Sequence, residues 1–258
     1  MNTRSHTRNS SGRAIGDNGN VAEPVPNVLR TEHPQLVLFD LDGTLTDSAG
    51  GIVASFRHAL AEVGVDVPTP GGDADLAGMI VGPPMARTLQ SLVGARADAA
   101  LAAYRADYTT RGWSMNSVFD GIEDILRDLK AKGVRLAVAT SKNEVTAHRI
   151  LEHFGLEGYF EVIAGADGAR AEKADVVAHA LAQLAPLPER VLMVGDRRHD
   201  VEGAAVHGIN TVVVGWGYGR DDFASPDSET SDDSGTSHSE LVTTHVTDIT
   251  GLREVLGV

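Results

Sequence analysis

The chain has 258 residues, no cysteine and a formal charge of -14. Lacking thiols, it can form neither disulfides nor cysteine-ligated zinc or iron–sulfur centres, and its acidic balance disfavours nucleic acid and anionic membranes as partners. Its length is enough for one large domain or a domain with an insertion, and an apolar fraction of 42% is ordinary for a chain that buries a core. No apolar run reaches the roughly 18 residues of a membrane span. The polar start, MNTRSHTRNSSGRAIGDNGN, lacks the apolar centre of a secretory signal, so a cytoplasmic protein is expected.

Residues 1–33, rich in Ser, Asn, Gly, Arg and Pro, read as a disordered tail. An apolar strand, Leu36–Phe39, then ends in Asp40, Asp42 and Asp47. Helical patterns at Gly51–Gly64 and Ala95–Arg111 follow, with a turn expected at Val81-Gly82-Pro83-Pro84. Ile122, Ile125, Leu126 and Leu129 have helical spacing and Gly133 stops them. Strand Val134–Ala139 leads to Thr140-Ser141-Lys142-Asn143-Glu144, where Ser141 and Glu144 fit a capping box for a helix carrying Val145, Ile150, Leu151 and Phe154. Strand Phe160–Ala164, a helix with Val176, Val177, Ala180, Leu181 and Leu184, and strands Val191–Val194 and Thr211–Val214 come next. Residues 221–240, with seven acidic residues and six serines, read as a solvated loop. A last helix runs from about Asp248 through Val255.

The strands are continuous apolar runs, as parallel strands covered on both faces require, and they alternate with amphipathic helices. The expected fold is α/β, a doubly wound parallel sheet formed by 34–50 and 119–258. Nearly a hundred residues separate the first two strands, too many for one crossover, so residues 51–118 read as a small helical cap domain.

In such a sheet, polar residues following each strand share the ligand-binding edge. Asp40 and Asp42, Thr140 and Ser141, and Gly195-Asp196-Arg197-Arg198-His199-Asp200 occupy those places. Carboxylates converging there call for a cation, and oxygen ligands suit Mg²⁺, which keeps waters and room for a phosphate. An EF-hand reading from Asp40 fails, because Leu45 stands at its glycine position and Gly51 at its glutamate position. Of two carboxylates two residues apart, one can attack an electrophile while the other handles protons, and Gly43 lets the chain turn away. Asp47 either caps the next helix or supports the loop.

The ten histidines show no zinc spacing: His148 and His153 are five apart, and no HExxH occurs. Gly215-Trp-Gly-Tyr-Gly219 is not GxGxxG and reads as a tight loop at the site edge. No GxxxxGK[ST] occurs.

Asp40-x-Asp42-Gly-Thr-Leu-Thr-Asp47, the strand ending in Thr140, Lys173 in Glu-Lys-Ala-Asp, and Gly195-Asp196-x3-Asp200 resemble, in order, the four motifs of the haloacid dehalogenase superfamily. The resemblance implies Asp40 as a nucleophile forming an aspartyl-phosphate and Asp42 as acid and base. Thr140 would bind the phosphoryl group and Lys173 would neutralise charge. Mg²⁺ would be held by Asp40, the Asp42 carbonyl and Asp196, with Asp200 in support. Ala174 stands where the family often has proline, which leaves Lys142 as a rival to Lys173. Arg198 and His199 either touch substrate or face solvent. The acid at Asp42 implies phosphate chemistry, since the dehalogenating members lack it.

Similar phosphatases bring a cap loop to the substrate, which makes Gly82 and Arg87 specificity candidates beside Gly43 and Ser141. Phe119-Asp120-Gly121 resembles their cap hinge. The leading expectation is a Mg²⁺-dependent hydrolase of small phosphorylated metabolites, like phosphoglycolate phosphatases; a mutase uses the same motifs. IVGPPM, AYRADY, RGWSMNS, VRLAVATSK and VVVGWGYGR resemble mycobacterial tyrosine kinases of this fold. That similarity implies phosphoryl transfer from ATP to tyrosine, with a low-molecular-weight protein tyrosine phosphatase as partner.

Overall fold

The computed structural model describes Met1 and residues 33–66, 72–223 and 243–258. The expected tail and acidic loop lie outside these residues, apart from Met1, His33 and residues 221–223. In chain order, β1 (Leu36–Phe39) and a short β2 (Thr46–Asp47) precede helices α1 (Ala49–Glu62), α2 (Asp73–Ile80), α3 (Met85–Val93) and α4 (Ala97–Thr110). Then come β3 (Ser117–Val118), α5 (Ile122–Ala131), β4 (Arg135–Asn143), α6 (Glu144–His153), β5 (Val162–Ala166) and α7 (Lys173–Gln183). The remainder is β6 (Val191–Gly195), α8 (Arg198–Ala205), β7 (Asn210–Val214), β8 (Thr243–Val246) and α9 (Ile249–Leu256).

The main sheet has six parallel strands in the order β5-β4-β1-β6-β7-β8. The chain starts in the middle, winds out to β5, then returns to β6 and winds the other way, which is the doubly wound fold expected from the alternation. Strand periodicity divides the core: Val37 and Phe39 join α5, α6 and α9 on one face, while Leu36 and Leu38 join α7 and α8 on the other. Each fully buried aliphatic side chain contributes about 1.5–3 kcal/mol relative to exposure, so both faces of β1 stabilise the sheet centre. Helices α1 to α4 bury a separate core around Phe56, Ile80, Leu89 and Ala100. The antiparallel pair β2–β3 joins the two parts of the fold: Asp47 pairs with Ser117, and Phe119 N–H donates to Leu45 O.

Several local expectations need correction. β4 continues through Asn143, beyond the expected end at Ala139, with a register shift against β5 between Thr140 and Asn143. The α6 cap is Asn143, whose side chain accepts from Thr146 N–H, so Ser141 and Glu144 form no capping box. Glu144 is occupied elsewhere, accepting from Gly165 N–H and Arg170. The sheet also has an edge strand, β8, that carries no apolar run.

Candidate active site

The reversal in strand order falls at β1, and the C-terminal ends of β1, β4 and β6 meet there. Residues beyond those ends line a cleft of about 660 Å³ between the sheet and the α1–α4 module. Asp40, Asp42, Thr140, Ser141, Lys142 and His199 form its floor, and Gly82, Pro83, Pro84, Tyr104, Arg105 and Tyr108 contribute the facing wall.

Asp40, Asp196 and Asp200 are all buried, and each offers an oxygen within 4.8 Å of the others. Lys173, at the start of α7, reaches them with Nζ at 2.6 Å from Asp40 Oδ1 and 2.7 Å from Asp200 Oδ1. It also donates to Ala139 O at 2.7 Å. Gly203 on α8 makes room for it, because a Cβ there would come 2.7 Å from Lys173 Cγ. Asp200 Oδ2 accepts the backbone N–H groups of Asp196 and Arg197 at 3.1 and 3.0 Å, which locks the turn between β6 and α8. Asp196 Oδ2 accepts from Tyr218 N–H at 2.6 Å, whereas its buried Oδ1 has no partner.

The electrostatics follow from this geometry. Burial pushes the Asp40 carboxyl up, outweighing Lys173 beside it. Burial, together with Asp200 and Asp40, pushes Asp196 well above the usual carboxylate range. Asp200 feels the same burial, yet Lys173 and His199 draw it below that range. Burial alone would lower Lys173, but Asp200 and Asp40 raise it, so it stays a cation. Lys173 serves two of the three carboxylates, and the third, Asp196, keeps a buried oxygen without a partner; the donor set is all oxygen. A divalent hard cation fits it.

The two rival lysines occupy different places. Lys173 serves Asp40, whereas Lys142 pairs with Asp42 Oδ2 at 2.7 Å. Lys142 also donates to Tyr108 Oη at 2.8 Å and sits 4.5 Å from that ring's centre. Burial opposes its charge, but Asp42 and the two tyrosines raise its pKa. Lys142 therefore connects the floor of the cleft to α4, a place that its sequence position beside Thr140 does not reveal. Thr140 is buried in the cleft, its Oγ1 accepting from Lys142 N–H at 3.2 Å.

Gly215–Gly219 is the tight loop at the site edge. Tyr218 Oη donates to Asp47 Oδ1 at 2.6 Å and accepts from the N–H groups of Ser48 and Ala49. Trp216 Nε1 donates to Thr44 O at 3.2 Å. Asp47 Oδ1 also accepts the N–H of Ala49, the first residue of α1, at 3.2 Å, so Asp47 supports both the loop and the helix start, while Ser48 makes no side-chain cap. Gly43, at φ +87, and Gly217 both approach Asp196 so closely that a Cβ on either would overlap its carboxylate. Gly43 thus shapes the carboxylate cluster from behind. Arg87 does not line the cleft; it is exposed on α3 and pairs with Glu172 at 2.9 Å. Arg198 also points away, donating to Asp222 O, while His199 faces the cleft. His148 pairs with Glu157 on the surface.

No helix among the described residues is long and apolar enough to cross a membrane. Residues 37–214 match the family model of the haloacid dehalogenase-like hydrolases. The tyrosine-protein kinase PtkA of Mycobacterium tuberculosis is 63% identical over 230 residues, covering 88% of this chain and 74% of that protein. A solved structure of that kinase superposes with a TM-score of 0.74, covering 88% of this chain and 100% of that chain. A 5'-nucleotidase of Pseudomonas aeruginosa is 40% identical over 193 residues, covering 72% of this chain and 85% of the relative. With the sheet, the motif order and these matches in agreement, the chain belongs to the haloacid dehalogenase-like hydrolase family, as an enzyme of phosphatase or phosphotransferase type.

Proposed function

We propose that the chain is a Mg²⁺-dependent phosphohydrolase of small phosphate monoesters, working through an aspartyl-phosphate on Asp40. The observation that carries this reading is the buried cluster of Asp40, Asp196 and Asp200, with Lys173 on Asp40 and Asp200, which reaches the cleft at Asp40. A carboxylate oxygen of Asp40 attacks phosphorus as the bond to the leaving oxygen breaks, and Asp42 gives that oxygen its proton. Water, losing its proton to Asp42, then attacks the same phosphorus; the bond to Asp40 breaks and inorganic phosphate leaves. Lys173 balances the negative charge on Asp40 throughout, and Thr140 Oγ1 offers a hydrogen bond to the phosphoryl oxygens. Asp40, the Asp42 carbonyl and Asp196 would hold the metal, with Asp200 organising the turn behind it. When bound, Mg²⁺ would neutralise charge on the transferring group.

Residues 51–118 act in this reading as a cap that excludes water, hinged at β2–β3 and Phe119-Asp120-Gly121. Gly82 and Ser141, both lining the cleft, are the substrate-contacting candidates that remain.

A second reading, tyrosine kinase, is favoured by the 63% identity with PtkA. It keeps Asp40 at the centre and changes the donor to ATP and the acceptor to a tyrosine, for which a low-molecular-weight protein tyrosine phosphatase is one candidate. A mutase would return the phosphoryl group to its own substrate.

One paired assay separates these readings. Protein with Mg²⁺ is offered a panel of phosphate monoesters and, separately, labelled ATP with a tyrosine protein; Asp40→Asn and Asp42→Asn are the controls. Phosphate release lost in Asp40→Asn supports the hydrolase. Phosphate release that persists in Asp40→Asn sinks the aspartyl-phosphate route. Tyrosine labelling without monoester hydrolysis reverses the order of the two readings.

A further inference from the structure

Arg197 follows Asp196 directly, yet its side chain turns away from the carboxylate cluster and is only 7% exposed. Its Nε and Nη2 hold the Asp222 carboxylate at 2.8 and 3.2 Å. Its Nη1 donates to the carbonyls of Gly78, at 3.1 Å, and Val81. Those carbonyls belong to the last turn of α2 and the residue after it, where a helix runs out of its own donors. A helix of the α1–α4 module is therefore capped by a side chain from the sheet domain. Only a planar fork serves both directions at once; a lysine in the same place could not bind a carboxylate on two atoms and two carbonyls as well.

The chain that follows this cap is the wall of the cleft. Gly82 has φ +104 and rests against α8, where a Cβ would come 3.0 Å from His199 Cε1 and 3.3 Å from Arg197 Cγ. Pro83, Pro84 and Met85 continue the cleft lining from there. The contact of this segment with the metal-binding turn thus depends on one guanidinium and one missing side chain.

We propose that Arg197 is a positioning residue, the pin that holds residues 78–85 down over Asp40 and Asp42. Its backbone N–H serves Asp200 whatever the side chain is, so replacing the side chain leaves the carboxylate cluster assembled. The catalytic consequence rests on the phosphohydrolase reading; the structural consequence does not. Without the pin the wall lifts and substrate is held less well, while Asp40 and Lys173 keep their chemistry.

The test uses the full chain carrying Arg197→Met, which keeps bulk and removes every donor. Hydrogen exchange is followed by segment, and KM and kcat are measured with p-nitrophenyl phosphate and Mg²⁺. Exchange in residues 76–85 is expected to rise about tenfold or more while β1 and α7 stay protected, as for a local opening. KM is expected to rise more than kcat falls, as for lost binding without lost chemistry. Unchanged exchange in 76–85, or an equal rise in β1 and α7, overturns the proposal. Should Arg197→Met fail to fold, Asp222→Asn keeps the guanidinium and loosens one arm. The same regional pattern at smaller amplitude supports the pin, and wild-type exchange there refutes it. A wild type that releases no phosphate defeats the phosphohydrolase reading, and the exchange data still decide the pin.

Discussion

Replacing Lys173 with methionine tests the electrostatic heart of the site. Lys173 Nζ touches two buried carboxylates, at 2.6 and 2.7 Å, and a third lies in the same cluster. Removing one partner from a buried ion pair leaves uncompensated charge and costs about 3–5 kcal/mol. For a chain of this size that corresponds to a fall in melting temperature of about 6–20 °C in metal-free buffer. Added Mg²⁺ should recover part of this loss, since a cation bound to the same oxygens supplies some of the missing charge. Activity should fall by about 10²–10³ in kcat even with metal present, the usual cost of losing one donor that stabilises transition-state charge. Scanning calorimetry with EDTA or Mg²⁺, together with p-nitrophenyl phosphate kinetics, measures both effects. A variant that melts within about 1 °C of wild type and retains kcat within a factor of about two would refute the argument that this lysine balances the cluster.

Two further outcomes follow from single contacts. Gly217→Ala places a methyl against Asp196 Oδ2, so Mg²⁺ affinity by calorimetry should drop while overpacking costs about 1–3 kcal/mol of stability. For pH dependence, the hydrogen bond from Ser55 Oγ at 2.7 Å, together with Arg111, holds Asp107 below the usual carboxylate value of 3.8. A depressed carboxylate lends stability above its unfolded pKa and loses it as pH falls through the folded one. Ser55→Ala should therefore melt below wild type at neutral pH, and the two curves should converge as pH drops well under 3.8.

Much of the core was legible because its physics is local. A strand covered on both faces is a continuous apolar run, as β1 and β6 show, and β7 does so from Val212 to Val214. β8 sits at the sheet edge, pairs with β7 alone and can be Thr-Thr-His-Val, so it carries no apolar strand pattern. β4 carries polar residues past Ala139 to reach the cleft, so its apolar pattern ends before the strand does. Ser141, Asn143 and Glu144 all have capping chemistry, and only the end of the strand selects Asn143 among them.

The same division runs through the site. Three aspartates after an apolar run and an acid-rich turn after another nominate Asp40, Asp42, Asp196 and Asp200 from residue pattern, and the family resemblance adds Lys173. What the spacing could not contain was pairing across distance. Lys173 meets Asp40 over 133 residues, Tyr218 meets Asp47 over 171, and Arg197 meets Val81 over 116. Arg197 beside Asp196 looks in sequence like any solvated arginine, and Lys142 looks like a rival for the Lys173 position. Folding separates them, because the sheet order sets which strand ends adjoin and the α1–α4 module presents the carbonyls and the tyrosine that each cation meets. Residue chemistry is local and can be read along the chain; the charge balance of a buried site is a sum over neighbours, and only the tertiary structure says who they are.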